Sequence, residues 1–185
     1  MLINNFILKG KKSSLRGLQR EDLIAIGRWW DDAEVTYLLE MGLRPTRDKE
    51  LESFWRLAMD SEDNIVFAIC DSVNGQLLGT CGLYAISWAS RRAQFNILIG
   101  EKDSWDRGVG SNAASLILQY AFEKLNLESV HLGVNSENLR AIASYRKVGF
   151  IHEGKRRHFI YRNGRYYDMD IFSMLKGEYS KINKD

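Results

Sequence analysis

Proline is nearly missing from this chain of 185 residues, where Pro45 stands alone. Nothing breaks the sequence into proline-rich linkers, and no repeat or low-complexity tract divides it, so a single domain over residues 1–185 is expected. Cysteine is scarce too. Cys70 and Cys81 lie in apolar, strand-like runs without metal-like partner spacing, which predicts buried free thiols rather than a disulfide framework or a zinc site. The three histidines, His131, His152 and His158, also lack ligand spacing, so no metal is expected and structural roles are. No apolar run reaches the roughly 18 residues of a membrane span. The stretch Met1–Lys12 lacks the basic-then-apolar pattern of an export signal. A cytoplasmic protein without membrane contact is the expectation. Charge of one sign is also absent: 26 Lys and Arg face 24 Asp and Glu, a net of +2. That balance argues against direct nucleic-acid binding. With 45% hydrophobic and 27% charged residues, the composition is that of an ordinary globular enzyme or binding domain.

Periodicity predicts the elements. Leu15–Leu18 reads as a first strand. Leu23, Ile26, Trp29 and Trp30 recur at helical spacing, and Asp31–Glu34 opens another short helix. Leu51, Phe54, Trp55 and Ala58 share one face of a third helix. Ile65–Cys70, Gln76–Tyr84 and Arg92–Ile99 form an antiparallel meander, with Asn74-Gly75 as a hairpin turn. A helix over Gly110–Leu125, a strand over Ser129–Val134 and a helix over Asn138–Val148 follow. Asn163-Gly164 then turns a closing hairpin. The sum is an α+β fold: a mixed, mostly antiparallel central sheet flanked by helices.

The segment Trp105-Asp106-Arg107-Gly108-Val109-Gly110-Ser111 follows a strong strand and opens a strong helix. Its glycines let a ligand approach the backbone, and the free amides of a first helical turn face outward with the positive end of the dipole, an arrangement that binds phosphate. Gly108, Gly110 and Ala113 also fit the dinucleotide fingerprint, with Glu128 downstream. However, that fold turns tightly from strand to helix and repeats the unit, whereas Gly100–Arg107 is a long loop and only one crossover follows. A nucleotide P-loop would need Gly-Lys-Ser/Thr, which is absent.

A second motif, Val134-Asn135-Ser136-Glu137-Asn138-Leu139-Arg140-Ala141 through Tyr145 to Gly149-Phe150, resembles the hallmark of the GNAT acetyltransferases. The likeness spans nearly the whole chain. It is strongest to the branch of ribosomal-protein N-terminal and spermidine acetyltransferases, through Leu15-Arg16 with Glu21-Asp22-Leu23, Trp30–Val35, and Glu153-Gly154, Arg157, Asn163-Gly164 and Asp168. The resemblance implies acetyl-CoA as cosubstrate, a backbone at Ile97, Leu98 and Ile99 that pairs with the pantetheine arm, and a pyrophosphate loop over Trp105–Ser111. Asn138 matches the CoA-binding asparagine and Tyr145 the general acid. Their seven-residue spacing is nearly two helical turns, which puts both on one face. A homodimer is a further expectation from the family.

Two positions depart from the family pattern. Trp105 stands where many members carry Gln or Arg, so one side-chain contact to the phosphates is expected to be missing. Gln94 stands where several carry a glutamate base. Asp31, Asp32, Glu34 and Ser136 are left, with Gln94 itself, as candidates for acceptor binding or water-mediated proton removal, helix-start charge being the competing role of the acids. A lysine-like amine is only about 0.04% neutral at pH 7, worth about 4.6 kcal/mol, against about 1 kcal/mol for an α-amine. The lost glutamate therefore favours a protein N-terminal α-amine as acceptor. A small amine (polyamine, amino sugar or antibiotic) is the alternative, and a non-catalytic acyl-CoA-binding protein the alternative of another class. Lys155-Arg156-Arg157-His158 reads as a solvated strand edge, or as a contact for an acidic partner or the adenosine 3′-phosphate.

Overall fold

A computed structural model of the chain describes residues 6–182. The opening residues of Met1–Lys12, as far as residue 5, lie outside the described residues. One open sheet runs in the order β1-β2-β3-β4-β5-β6-β8-β7. Its strands are β1 (Leu8–Lys9), β2 (Ser13–Gly17), β3 (Ile65–Asp71), β4 (Leu77–Ser87), β5 (Arg92–Ile99), β6 (Ser129–Asn135), β7 (Ile151–Arg162) and β8 (Arg165–Leu175). Neighbours pair antiparallel except β5 with β6. The α-helices among the described residues are α1 (Asp22–Asp31), α2 (Ala33–Thr36), α3 (Asp48–Asp60), α4 (Val109–Gln119), α5 (Leu139–Val148) and α6 (Lys176–Ile182). The expected mixed, mostly antiparallel sheet with flanking helices is the one formed.

Strand alternation divides the core in two. On one face Leu15, Phe67, Ile69, Cys81, Leu83, Phe95, Val130, Leu132, Phe172 and Met174 pack under α4 and α5. On the other, Ala68, Cys70 and Leu98 meet Leu18, Leu23, Ile26, Trp29 and Val35 from α1, α2 and the loop before them. Both cysteines are free and buried, and burial raises both thiols above their ordinary pKa. The amphipathic face of α3 is only half-buried, with Leu51, Phe54, Trp55 and Ala58 lying over this second core.

Several boundaries differ from expectation for local reasons. The helix expected to run unbroken to Leu125 widens into a π-turn over Tyr120–Lys124. At Asn74-Gly75 only the glycine has positive φ (74°), and Asp71 Oδ1 accepts the amides of Val73 and Asn74, so the turn is wider than a two-residue hairpin. Asn163 (φ 52°) and Gly164 (φ 79°) do make the tight turn their sequence predicts. β1 and α6 carry too few apolar residues to be read locally.

The Leu15-Arg16 and Glu21-Asp22-Leu23 signature has a physical basis. Arg16 Nη1 and Nη2 donate to Asp22 Oδ2 and Oδ1 at 2.7 and 2.8 Å, and the two side chains are 8% and 6% exposed. Asp22 Oδ2 also takes the Gln19 amide at 2.8 Å, which anchors the start of α1 to β2. Removing one partner of a buried pair strands the other charge. Asp22→Ala is expected to cost about 3–5 kcal/mol in urea unfolding, and a loss under 1 kcal/mol would show that Arg16 finds solvent instead.

Candidate active site

The parallel pair β5–β6 is short. Its register runs only through Arg92↔Ser129, Ala93↔Val130 and Gln94↔His131, after which β5 continues to Ile99 and β6 to Asn135 without pairing to each other. On its other side β5 stays in register with β4 through Leu98↔Thr80, and the Gly100 amide donates to Leu78 O at 2.9 Å. Alternation then turns the backbone polar groups of Ile97 and Ile99 away from β4, toward the wedge between β5 and β6. An extended ligand can pair there as an added strand would.

At the wide end of the wedge stands α4. Gly108 precedes it in the left-handed region (φ 80°), and the amides of Val109, Gly110 and Ser111 form its first turn. These have no intrahelical acceptors, so an anion is the complementary group. A Cβ built on Gly110 would meet only Ile99 Cγ1, at 3.8 Å, so the backbone there is open to close approach. Asp106 is also left-handed (φ 58°) and exposed. The Ser111 hydroxyl lies 2.7 Å from that of Ser144 and ties the turn to α5.

Two residues that sequence reasoning missed shape this loop. Asn112 Oδ1 accepts the amides of Lys12 and Ser13 at 3.1 and 2.9 Å, clamping the β1–β2 turn onto α4. Lys12 Nζ donates to Arg107 O at 2.7 Å, placing a cation beside the glycines. The contact joins residues nearly a hundred positions apart, so no local signal marks it.

Trp105 also differs from expectation. Its indole Nε1 donates to Ile99 O at 2.9 Å, and its ring carries the Arg140 guanidinium at 4.0 Å. Arg140 in turn lies 3.9 Å from Asp106. Where a loop side chain for phosphate was expected to be missing, this one satisfies the last inward carbonyl of β5 and joins it to α5.

Asn138 is the N-cap of α5 rather than a residue within it, and its Oδ1 accepts the Ala141 amide at 3.1 Å. Its side-chain NH2 is left to donate elsewhere. At the other end Gly149 (φ 107°) donates to Arg146 O, and the Phe150 amide closes on Tyr145 O at 3.0 Å, a Schellman stop. Phe150 also packs edge-on against the Tyr145 ring at 5.8 Å, with Phe95 at 6.3 Å and Phe172 at 6.4 Å. The Tyr145 side chain is thus fixed on the α4–α5 face where β5 and β6 begin to part. Burial raises its phenol well above the ordinary value, so it stays protonated at neutral pH.

The other candidates separate. Gln94 is half-buried on the opposite face, donating to Asn96 Oδ1 at 3.2 Å. Asp32 caps α2 and meets Lys102 at 3.0 Å, a hydrogen bond that holds its carboxyl below the usual range; Glu34 meets the same ammonium at 2.9 Å. Lys102 thereby ties both acids to the C-terminal end of β5, away from Gln94. Asp31 accepts the Thr46 amide at 2.7 Å. Ser136 follows β6 beside Asp170, its amide donating to Asp168 O at 2.9 Å. Arg162, also missed, is buried and donates to the carbonyls of Leu39 and Met41, holding the loop after α2.

Comparison with known proteins gives a consistent picture. The family model of the acetyltransferase (GNAT) domain matches residues 14–151. The spermidine N(1)-acetyltransferase of Escherichia coli K12 is 32% identical over 179 residues, covering 92% of this chain and 89% of that protein. A putative ribosomal N-acetyltransferase of Bacillus subtilis is 32% identical over 108 residues, 57% of each chain. The crystal structure of spermidine N-acetyltransferase from Vibrio cholerae, in complex with CoA and spermine, superposes with a TM-score of 0.83 at 27% identity, covering 92% of this chain and 99% of that one.

The indole bond at the end of β5 is testable. Trp105→Phe keeps the ring but removes the donor, and is expected to lower stability by about 1 kcal/mol in urea unfolding. No change would mean that water replaces the indole at Ile99 without cost.

Proposed function

The chain belongs to the GNAT acetyltransferase family, and we propose from that premise that it transfers the acetyl group of acetyl-CoA to a small primary amine, with polyamines as the acceptor class. The observation that carries the transfer is the parting of β5 from β6 next to the α4 N-terminus, with Tyr145 at its narrow end. Acetyl-CoA supplies a thioester whose carbonyl carbon is open to attack and whose sulfur departs. In this reading the amides of Gly108–Ser111, presented by the turn from Trp105, Asp106 and Arg107, bind its diphosphate. The inward backbone of Ile97 and Ile99 pairs with the amide-bearing arm, Leu98 holds the strand to the second core, and the Asn138 NH2 adds a side-chain donor. Tyr145, held protonated, gives its proton to the leaving sulfur.

The acceptor rests on other support. From the sequence alone a protein N-terminal α-amine comes first and a small amine second. The likeness to spermidine acetyltransferases runs over nearly full length, while the ribosomal relative named above matches little more than half the chain. We therefore place the small amine first. Asp31, whose carboxylate meets one backbone amide, is the acid most available to a polycation. Asp32 and Glu34 are engaged with Lys102, and Gln94 and Ser136 are neutral hydrogen-bonding neighbours of the acceptor path.

Two measurements test this reading. Labelled acetyl-CoA offered with spermidine, spermine, amino sugars and alanine-ended peptides is expected to acetylate the polyamines. Transfer to peptides alone would restore the N-terminal reading, and acetyl-CoA binding without any transfer would leave a binding protein. Tyr145→Phe should lower turnover about 100-fold or more while acetyl-CoA affinity, by calorimetry, stays within about twofold. Equal turnover in both proteins would remove the assigned acid.

A further inference from the structure

Polyamine nitrogens hold their protons tightly, and Gln94 stands where the family resemblance implies a glutamate base. Its amide cannot accept a proton at neutral pH, so the base must come from elsewhere. The register supplies a neighbour. His131 on β6 is the cross-strand partner of Gln94 in the last paired rung before β5 and β6 part. It is half-buried, and alternation along β6 puts it on the opposite face from Val130 and Leu132, which lie in the core beneath α4 and α5. Tyr145 stands on that helical face, so the narrow end of the wedge has a phenol on one side and an imidazole on the other.

Resting on the acetyltransferase reading above, we propose that His131 is the general base that takes the proton from the acceptor amine. The other histidines are engaged elsewhere: His152 Nε2 lies 2.9 Å from Asp170 Oδ1, and His158 stacks on Tyr166 at 5.5 Å. No hydrogen bond ties the His131 ring to another side chain among the described residues. The groups that face it are Arg92, Gln94 and Asn96 on β5, Ser173 on β8, and Glu153 and Arg156 on β7; Ser173 Oγ donates to Glu153 Oε1 at 2.6 Å. Tyr84 on β4, opposite Gln94, is kept protonated by burial and adds no charge. Burial and then Arg92, with Arg156, lower the His131 pKa below its ordinary 6.5, outweighing the opposite pull of Glu153. The ring is accordingly neutral at pH 7, the state that can accept a proton.

The step balances without another reactant. The ammonium of the acceptor gives one proton to the neutral imidazole nitrogen, which releases it to solvent, and the freed nitrogen lone pair then bonds to the acetyl carbon. The nitrogen, now acidic, passes its second proton to the free imidazole nitrogen. As the C–S bond breaks, the sulfur takes the Tyr145 proton, and imidazolium and phenolate are reset through solvent. The products are the acetamide and the CoA thiol.

The test uses the full chain with acetyl-CoA and spermidine. His131→Gln is expected to lower kcat about 100- to 1000-fold with acetyl-CoA affinity within about twofold. In the unaltered protein kcat/KM should fall on the acid side with a midpoint below 6.5. That midpoint should match the His131 titration followed by the NMR shift of its ring carbon-bound proton, and the limb should vanish in His131→Gln. Adding Gln94→Glu to that variant places a carboxylate on the facing strand and should recover at least tenfold of the loss. Turnover or an acid limb unchanged in His131→Gln overturns the assignment. So does a loss matched by weakened acetyl-CoA binding and not recovered by the second substitution. If the unaltered protein binds acetyl-CoA yet acetylates no amine, the transferase reading itself fails, an outcome distinct from turnover that survives the loss of His131.

Discussion

Two parallel strands that hydrogen-bond for only three rungs are the constraint on which the rest of this molecule depends. Backbone amides and carbonyls inside a protein need partners, so a strand edge in the middle of a sheet is costly unless something satisfies it. At Ile99 the protein provides its own solution, the Trp105 indole. At Ile97 and the Ile99 amide the proposed partner is the amide-bearing arm of acetyl-CoA. The arrangement persists because each strand is held from its other side. β5 is registered along its length with β4, and β6 with β8 from Ser129↔Leu175 to Asn135↔Met169. The sheet can part in the middle without coming apart.

The two faces of the wedge then acquire different chemistry from strand alternation alone. Phe95 and Val130 point beneath α4 and α5, into an aromatic cluster that desolvates Tyr145 and keeps its proton in place. Gln94 and His131, one residue away in each strand, point to the other side, where both are half-buried among polar and charged groups. The proposed donor and the proposed acceptor of protons are therefore separated by the thickness of the sheet rather than by distance along it. Keeping the two groups apart stops them from neutralising each other, while each remains within reach of a different atom of the thioester adduct.

Much of this was legible in the sequence, for reasons that differ by element. Arg92–Ile99 is bounded in the structure as the pattern predicted, because Ala93, Phe95 and Ile97 alternate with Arg92, Gln94 and Asn96, the period of a strand with one face in the core. Gly149-Phe150 was readable because a left-handed stop leaves only glycine comfortable, and the structure shows that the same two residues fix Tyr145 by backbone and by ring. Arg16 and Asp22 were visible as a signature but not as a pair, since only folding shows that both are buried. Lys12 against Arg107, Arg162 against the loop after α2, and His131 beside Gln94 were not legible. Each depends on strand register or on a contact across the sheet, and local composition holds no record of either.

Donor and acceptor recognition are consequently encoded in different currencies. The features assigned to acetyl-CoA are mostly main chain: the first-turn amides of α4 and the inward groups of Ile97 and Ile99. Main-chain sites survive wide divergence, and this is consistent with a TM-score of 0.83 at only 27% identity. The groups assigned to the acceptor are side chains, and few of them carry a free charge. Gln94 has no charge, and Lys102 neutralises Asp32 and Glu34. A polyamine, the acceptor proposed above, would meet fewer free carboxylates on this side than the number of acidic residues implies. In the proposal made for His131, removal of its proton falls to a group that is uncharged in the resting protein. An imidazole in that position attracts the cation less than a glutamate would, but it does not have to give up an ion pair before it can act.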